Sequence, residues 1–236
     1  MKRQAFHEDG ESRRRFLRTA ASAAGLVLTG CGAAAAREGA TKPGESHGEA
    51  EVTPGEDLMQ EHGVLERILL IYDEAAGRLE RGAGLDLSVV TRAAGIVRRF
   101  VEEYHEQLEE KFVFPRLQAA RREADLVAVL LRQHRRGREV TDEVVRLASA
   151  GTGSTQLAQL LRGFQRMYRP HAAREDTVVF PAFRAVVGGP AYRELGEQFE
   201  DQEHARFGEH GFEDTVSEVA KLEGALGIAD LASFTP

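Results

Sequence analysis

The chain has 236 residues, 42% of them apolar and 29% charged, with a formal charge of −7. That is enough for one full hydrophobic core and too little for three domains, and the negative balance speaks against a nucleic-acid partner. One cysteine excludes an internal disulfide, and no run alternates apolar and polar residues long enough to predict a sheet.

Residues 1–30 read as an address rather than as part of a fold. Arg13, Arg14, Arg15 and Arg18 precede a mild apolar run of twelve residues from Thr19 to Gly30. Crossing a hydrocarbon core takes about 20 residues, so the run is a signal peptide and not a membrane span. Ser12-Arg13-Arg14-Arg15-Phe16-Leu17-Arg18 resembles the twin-arginine export motif, with Arg18 where Lys is usual. Leu28-Thr29-Gly30-Cys31 resembles a bacterial lipobox. That resemblance implies a lipidated Cys31 at the start of the mature chain; the alternative is an ordinary cleavable signal in which Cys31 is incidental. Together they imply an exported cell-envelope lipoprotein held to a membrane through Cys31, on the periplasmic face of the outer membrane in a Gram-negative host. The twin-arginine route carries folded and often cofactor-loaded proteins, which suits a metal chosen before export. Residues 31–53 hold Cys31 and then an Ala, Gly, Glu and Pro tether with little to bury, in which His47 is solvated.

Residues 54–187 are expected to form an all-α, antiparallel up-down four-helix bundle, and 188–236 a further helix and tail packed on it. Thr53-Pro54-Gly55-Glu56 is a capping box with proline at the first helical position. Leu58, His62, Leu65, Leu69, Tyr72, Ala76 and Leu79 follow at steps of three and four, ended by Gly82 and Gly84. A second stripe starts near Asp86 or Ser88 and takes in Val97, Val101, His105, Leu108 or Glu109, and Phe112. The third, from about Glu123 to Ala148, turns Val127, Leu131, His134, Thr141 and Val145 inward. The fourth follows Ser154 with Leu157, Leu161, Phe164, Tyr168, His171, Glu175 and Val178. Long helices joined by short connections are the pattern of such a bundle. A fifth helix after Gly188-Gly189-Pro190 carries Leu195, Phe199, His204 and Phe207.

One eleven-residue pattern occurs twice, sixty-six residues apart: HEQLEEKFVFP from His105 and HAAREDTVVFP from His171. In each, a Glu follows the His by four residues, one helical turn away on the same face. Each copy follows a solitary histidine, His62 or His134. Burying four imidazoles and two carboxylates unpaired would cost several kcal/mol for each ion, which a small domain does not have to spare. A pseudo-twofold core that holds two metals, each on two histidines and bridged by Glu109 and Glu175, removes that cost. Imidazole plus carboxylate suits iron, manganese less well, and a structural zinc would not need the second ligand set.

His62, His105-x-x-x-Glu109, His134 and His171-x-x-x-Glu175 resemble the hemerythrin-like HHE cation-binding domain over roughly residues 54–187. The resemblance implies two iron ions with an oxo or hydroxo bridge, and a site that binds or senses dioxygen or nitric oxide. Three departures from the oxygen carriers stand out: Arg138 replaces a histidine after His134, Glu175 stands where they have an aspartate one residue later, and Pro170 precedes His171. His204 restores the histidine count if the fifth helix folds over the bundle, and is otherwise an exposed helix residue. Leu65, Leu69, Leu108, Phe112, Phe164 and Val178 are the candidate lining of a ligand pocket. The missing histidine leaves open positions that also suit an oxidase or peroxidase-like enzyme acting on peroxide or nitric oxide, with Tyr72, Tyr104 and Tyr168 as core phenols within reach. Iron storage or a structural metal is the third reading; the Glu-x-x-His spacing of Glu102 and His105 has no counterpart before His171, which argues against a ferritin-type site.

Overall fold

A computed structural model describes residues 52–236. The export motif, Cys31, His47 and nearly all of the tether lie outside the described residues. Helix α1, Pro54–Glu80, starts on the expected capping box: Glu56 N donates to the Thr53 hydroxyl and Thr53 N to the Glu56 carboxylate. Helix α2 spans 87–119 behind an Asp86 N-cap that accepts from Ser88 N. Helix α3 is Ala124–Ala150, closed by Gly151 at φ 65°, the left-handed conformation that glycine adopts without a Cβ clash. Helix α4 spans 154–187 and runs through Pro170 without a break. No strand occurs among the described residues, and α1 to α4 form the bundle, α1 lying along α4, α2 along α3, and α3 along α4.

The repeated segment has a shape of its own. Glu109–Val113 and Glu175–Val179 are π-helical turns at equivalent places in the two copies, each followed within two residues by proline. Proline lacks the N–H that closes an α-turn and crowds the carbonyl four residues back, so both π-turns lie just ahead of a residue that an unbroken α-ladder accommodates poorly; a further π-helical stretch, Val97–His105, runs up to the first copy without a proline. The extra residue also moves the inward register. Val113 and Phe114 are buried while Phe112 sits at the flank, and Val179 and Phe180 are buried while Val178 sits at the flank. Phe112 and Val178, expected inward from an unbroken α-period, are therefore displaced together and for the same reason. Their Phe-Pro ends do not stop the helices, which continue to 119 and 187.

In α3 the buried positions are Val127, Leu130, His134, Gly137, Val140, Thr141, Val144, Leu147 and Ala148. Leu131 and Val145, expected inward, lie half-buried on the edge of that stripe. The remainder of the chain folds as two helices where the sequence marked one, because Gly208 at φ 84° divides them. Helix α5, Gly189–Phe207, and helix α6, Gly211–Leu226, pack on α1 and on each other. Phe212, Val219, Leu222 and Leu226 of α6 are buried, and Arg67 of α1 grips Glu223 with two hydrogen bonds of 2.9 and 2.5 Å. A short 3₁₀ turn, Leu231–Phe234, ends the chain on the surface.

Candidate metal centre

The four bundle histidines and two glutamates meet in the core. His62 and His105 place their Nε2 atoms 3.0 Å apart, and His134 and His171 theirs 3.2 Å apart. Glu109 lies between the pairs, one oxygen being 3.7 Å from His105 Nε2 and 3.4 Å from His134 Nε2. Glu175 does the same from the opposite side, 3.4 Å from His62 Nε2 and 3.0 Å from His171 Nε2. Each carboxylate thus touches a nitrogen of both pairs. Both are fully buried, and none of their four oxygens makes a hydrogen bond.

Every outer ring nitrogen is also held. His62 Nδ1 lies 2.7 Å from Asp176, His105 Nδ1 2.7 Å from Glu61, His134 Nδ1 3.0 Å from Glu110, and His171 Nδ1 2.9 Å from the Gln133 carbonyl oxygen. All four partners are acceptors, so each Nδ1 carries a proton, and each Nε2 is the ring nitrogen turned inward that could offer a lone pair to a cation. Phe180 stacks on His62 at 5.5 Å and Phe114 on His134 at 5.6 Å, so the phenylalanine of each Phe-Pro pair covers a histidine of another helix.

The electrostatics record a concentration of buried titratable groups that shift one another. Burial pushes the Glu109 carboxyl well up, and Glu175 opposite adds to it. Burial acts on Glu175 as well, but His171 and His62 outweigh it and hold that carboxyl below the usual range. Burial alone would lower His62, yet Asp176 and Glu175 raise it to about 9, while burial brings His105 down against Glu61. Inward-facing Nε2 atoms and buried carboxylate oxygens at these separations are what a cation needs and what apolar packing does not explain. The donor set fits metal ions: Glu109 joins His62 and His105 in one cluster, and joins His134, His171 and Glu175 in another.

Of the residues singled out from sequence, these six come together. His204 does not join them: it is half-buried on α5 and belongs to none of the donor clusters among the described residues. The buried positions of α5 are Tyr192, Leu195, Phe199 and Glu203, and that spacing puts Glu203 rather than His204 inward. Sequence reasoning passed over Glu61, Gln133, Glu110 and Asp176, although each stands directly beside a ligand candidate in the chain. Also unforeseen is the use made of Arg138. Its guanidinium binds Glu106 and Glu110, each at 2.7 Å, and the Tyr168 hydroxyl donates to Glu106 at 2.7 Å.

Fold and site define a helical-bundle protein with a buried histidine–carboxylate cation centre. The chain belongs to the hemerythrin HHE cation-binding domain family, whose signature matches residues 53–183. It is similar along its length to an uncharacterized protein of Mycobacterium bovis and to one of Mycobacterium tuberculosis. Each is 46% identical over 231 residues, which cover 95% of this chain and 91% of the relative. No solved structure gives a significant match.

Proposed function

We propose that the protein is a non-haem di-iron protein that binds or senses dioxygen or nitric oxide at a centre bridged by Glu109 and Glu175. One observation carries this reading: two imidazole pairs face each other across two carboxylates whose four oxygens have no hydrogen-bond donor. His62 and His105 would hold one ion and His134 and His171 the other. Iron bound there would supply redox chemistry and an open coordination position for a diatomic ligand. The chain's own part is to fix the ring tautomers through Asp176, Glu61, Glu110 and Gln133, and to exclude water with Phe114 and Phe180.

The test loads the full chain with ferrous iron under anaerobic conditions, counts iron, and follows the visible spectrum as air is admitted and withdrawn. Two irons per chain and a band that appears in air and fades on deoxygenation support the reading. Rapid, irreversible oxidation points instead to an enzyme. A specific feature favours that second reading: Arg138 stands where the carriers have a histidine, and with Glu106 and Tyr168 it sets a polar network beside the His134–His171 pair. Arg138 also lines a surface cleft of about 390 Å³ together with Arg98, Glu102, Gln107 and Lys111, which gives that network a face toward solvent.

The Arg13-Arg14-Arg15 signal and the Leu28-Thr29-Gly30-Cys31 segment support export and anchoring by a lipidated Cys31. Replacing Cys31 with Ser would then release the protein from the membrane fraction, and retention there would sink the lipoprotein assignment.

A further inference from the structure

The two halves of the centre match in their inward ligands but not in what stands behind them. In the first half both Nδ1 atoms donate to carboxylates, Glu61 behind His105 and Asp176 behind His62. In the second half His171 donates to the neutral amide oxygen of Gln133. His134 donates to Glu110, but the same Glu110 oxygen also takes a hydrogen bond from Arg138. Glu106, the other acid near His134, is held by that guanidinium too and by Tyr168. The first pair is thus backed by two carboxylates, and the second by an amide and a carboxylate shared with a cation.

We infer that the two metal positions are unequal, and that the His62–His105 position binds first and tighter because Glu61 and Asp176 back its imidazoles, whereas Gln133 and the Arg138-bound Glu110 back the His134–His171 position. A carboxylate behind Nδ1–H makes the imidazole a stronger donor at Nε2 and adds negative charge close to the ion, and such partners typically change metal affinity about 10–100-fold. The inward ligands do not favour the first position: each has two Nε2 atoms and Glu109, and Glu175 clusters with His134 and His171 while lying 3.4 Å from His62 Nε2, so the order rests on the outer partners alone. Glu61 and Gln133 precede His62 and His134 at equivalent places in α1 and α3, so this one exchange is the sharpest difference between the two outer shells. Both act through a histidine and are positioning residues. The inference rests on the dinuclear reading above.

The test is an anaerobic calorimetric titration of the full chain with ferrous iron, for the wild type, Glu61→Gln and Gln133→Glu, with helix content checked for each. The wild type is expected to bind in two steps separated at least tenfold. Gln133→Glu should tighten the second step about tenfold and close the gap, and Glu61→Gln should weaken the first by a similar factor. Mössbauer spectra give a readout that general loss of structure would not mimic. One equivalent of ⁵⁷Fe followed by one of ⁵⁶Fe should report a different environment from the reverse order, and that dependence on order should fade in Gln133→Glu. Two indistinguishable steps in the wild type, or a second step unmoved by Gln133→Glu, overturn the inference while leaving the dinuclear centre intact. Fewer than two irons in the wild type overturn the dinuclear reading and this inference with it.

Discussion

Helices α1 and α2 on one side and α3 and α4 on the other give two answers to one problem. Both halves supply a lone histidine, a His-x-x-x-Glu turn, an acid after that Glu, a π-turn, and a Phe-Pro step whose ring covers a histidine. The halves diverge one layer out. Glu61 is matched by Gln133, Leu65 by Gly137, Glu66 by Arg138, Glu102 by Tyr168, and Glu106 by Ala172. What is shared touches the ion positions, and what differs decides how each position is charged, shaped and approached. A duplicated ligand set therefore does not make a symmetric site.

The largest effect should come from breaking what is shared. Glu109→Ala and Glu175→Ala each remove a carboxylate that reaches a nitrogen of both pairs. Each is expected to lower bound iron from two to one or fewer per chain, measured by metal analysis after anaerobic loading and desalting. Near-equal losses sharpen the twofold comparison. Full retention of two irons in either variant would remove that glutamate from the bridge. Glu109→Ala removes a carboxyl that burial already pushes well up, whereas Glu175→Ala takes a partner from His62 and His171 and is expected to cost more stability, so helix content is checked for both before iron is counted.

The convergence of the six candidate ligands was legible in the sequence because a histidine or glutamate that recurs at the same register on helical stripes has few other reasons to do so. The bundle was legible from the same stripes. Two kinds of information were not. The π-turns at Glu109–Val113 and Glu175–Val179 shift register by one residue, which a fixed 3.6-residue period cannot register, and so Phe112 and Val178 were misplaced. Glu61, Gln133, Glu110 and Asp176 were missed because an acid or amide beside a stripe is ordinarily solvated, and only the packing of the next helix shows that Glu61 is buried on His105. His204 shows the converse: a histidine at a plausible helical phase whose neighbour Glu203 takes the inward place.

A second break falls on Glu102, which occupies in the first half the place of Tyr168 in the second. Burial raises its carboxyl from 4.5 to about 7, Glu106 adds to that, and Thr141, Arg98 and Arg138 offset it in part. Between those pH values the folded chain keeps a proton that the unfolded chain has lost. Glu102 therefore stabilises the fold fully below about 4.5, and that contribution drains away as pH rises through about 7. The loss is at most about 3 kcal/mol at pH 8, at about 1.36 kcal/mol per pH unit. Glu102→Gln should remove this dependence and leave the variant more stable than wild type at pH 8, reduced by the lost ion pair with Arg98 at 2.8 Å. Denaturant titrations of both proteins without metal at pH 5 and pH 8 check it, and parallel shifts of the two proteins with pH would sink the assignment.

The smallest effects concern Gly137, where the first half has the buried Leu65. A Cβ at Gly137 would come within 2.0 Å of the Tyr168 hydroxyl and 2.8 Å of its Cζ. Replacing a mid-helix glycine with alanine is ordinarily worth about 0.5–1 kcal/mol in stability. Here overpacking, typically 1–3 kcal/mol, has the opposite sign and the larger size, because the Tyr168 ring is buried against Phe164 at 4.3 Å and cannot swing away. Gly137→Ala should therefore destabilise by about 1–2 kcal/mol and break the Tyr168–Glu106 hydrogen bond. Gly163 is the control: it lies on exposed α4 surface, and its Cβ would meet nothing within 4 Å. Gly163→Ala should stabilise by about 0.5–1 kcal/mol in the same denaturant titration. Opposite signs at the two glycines mean that the second half keeps Gly137 to seat Tyr168. A shared stabilising sign would mean that Tyr168 has room to move, and that the network it forms with Glu106 and Arg138 is looser than its hydrogen bonds suggest.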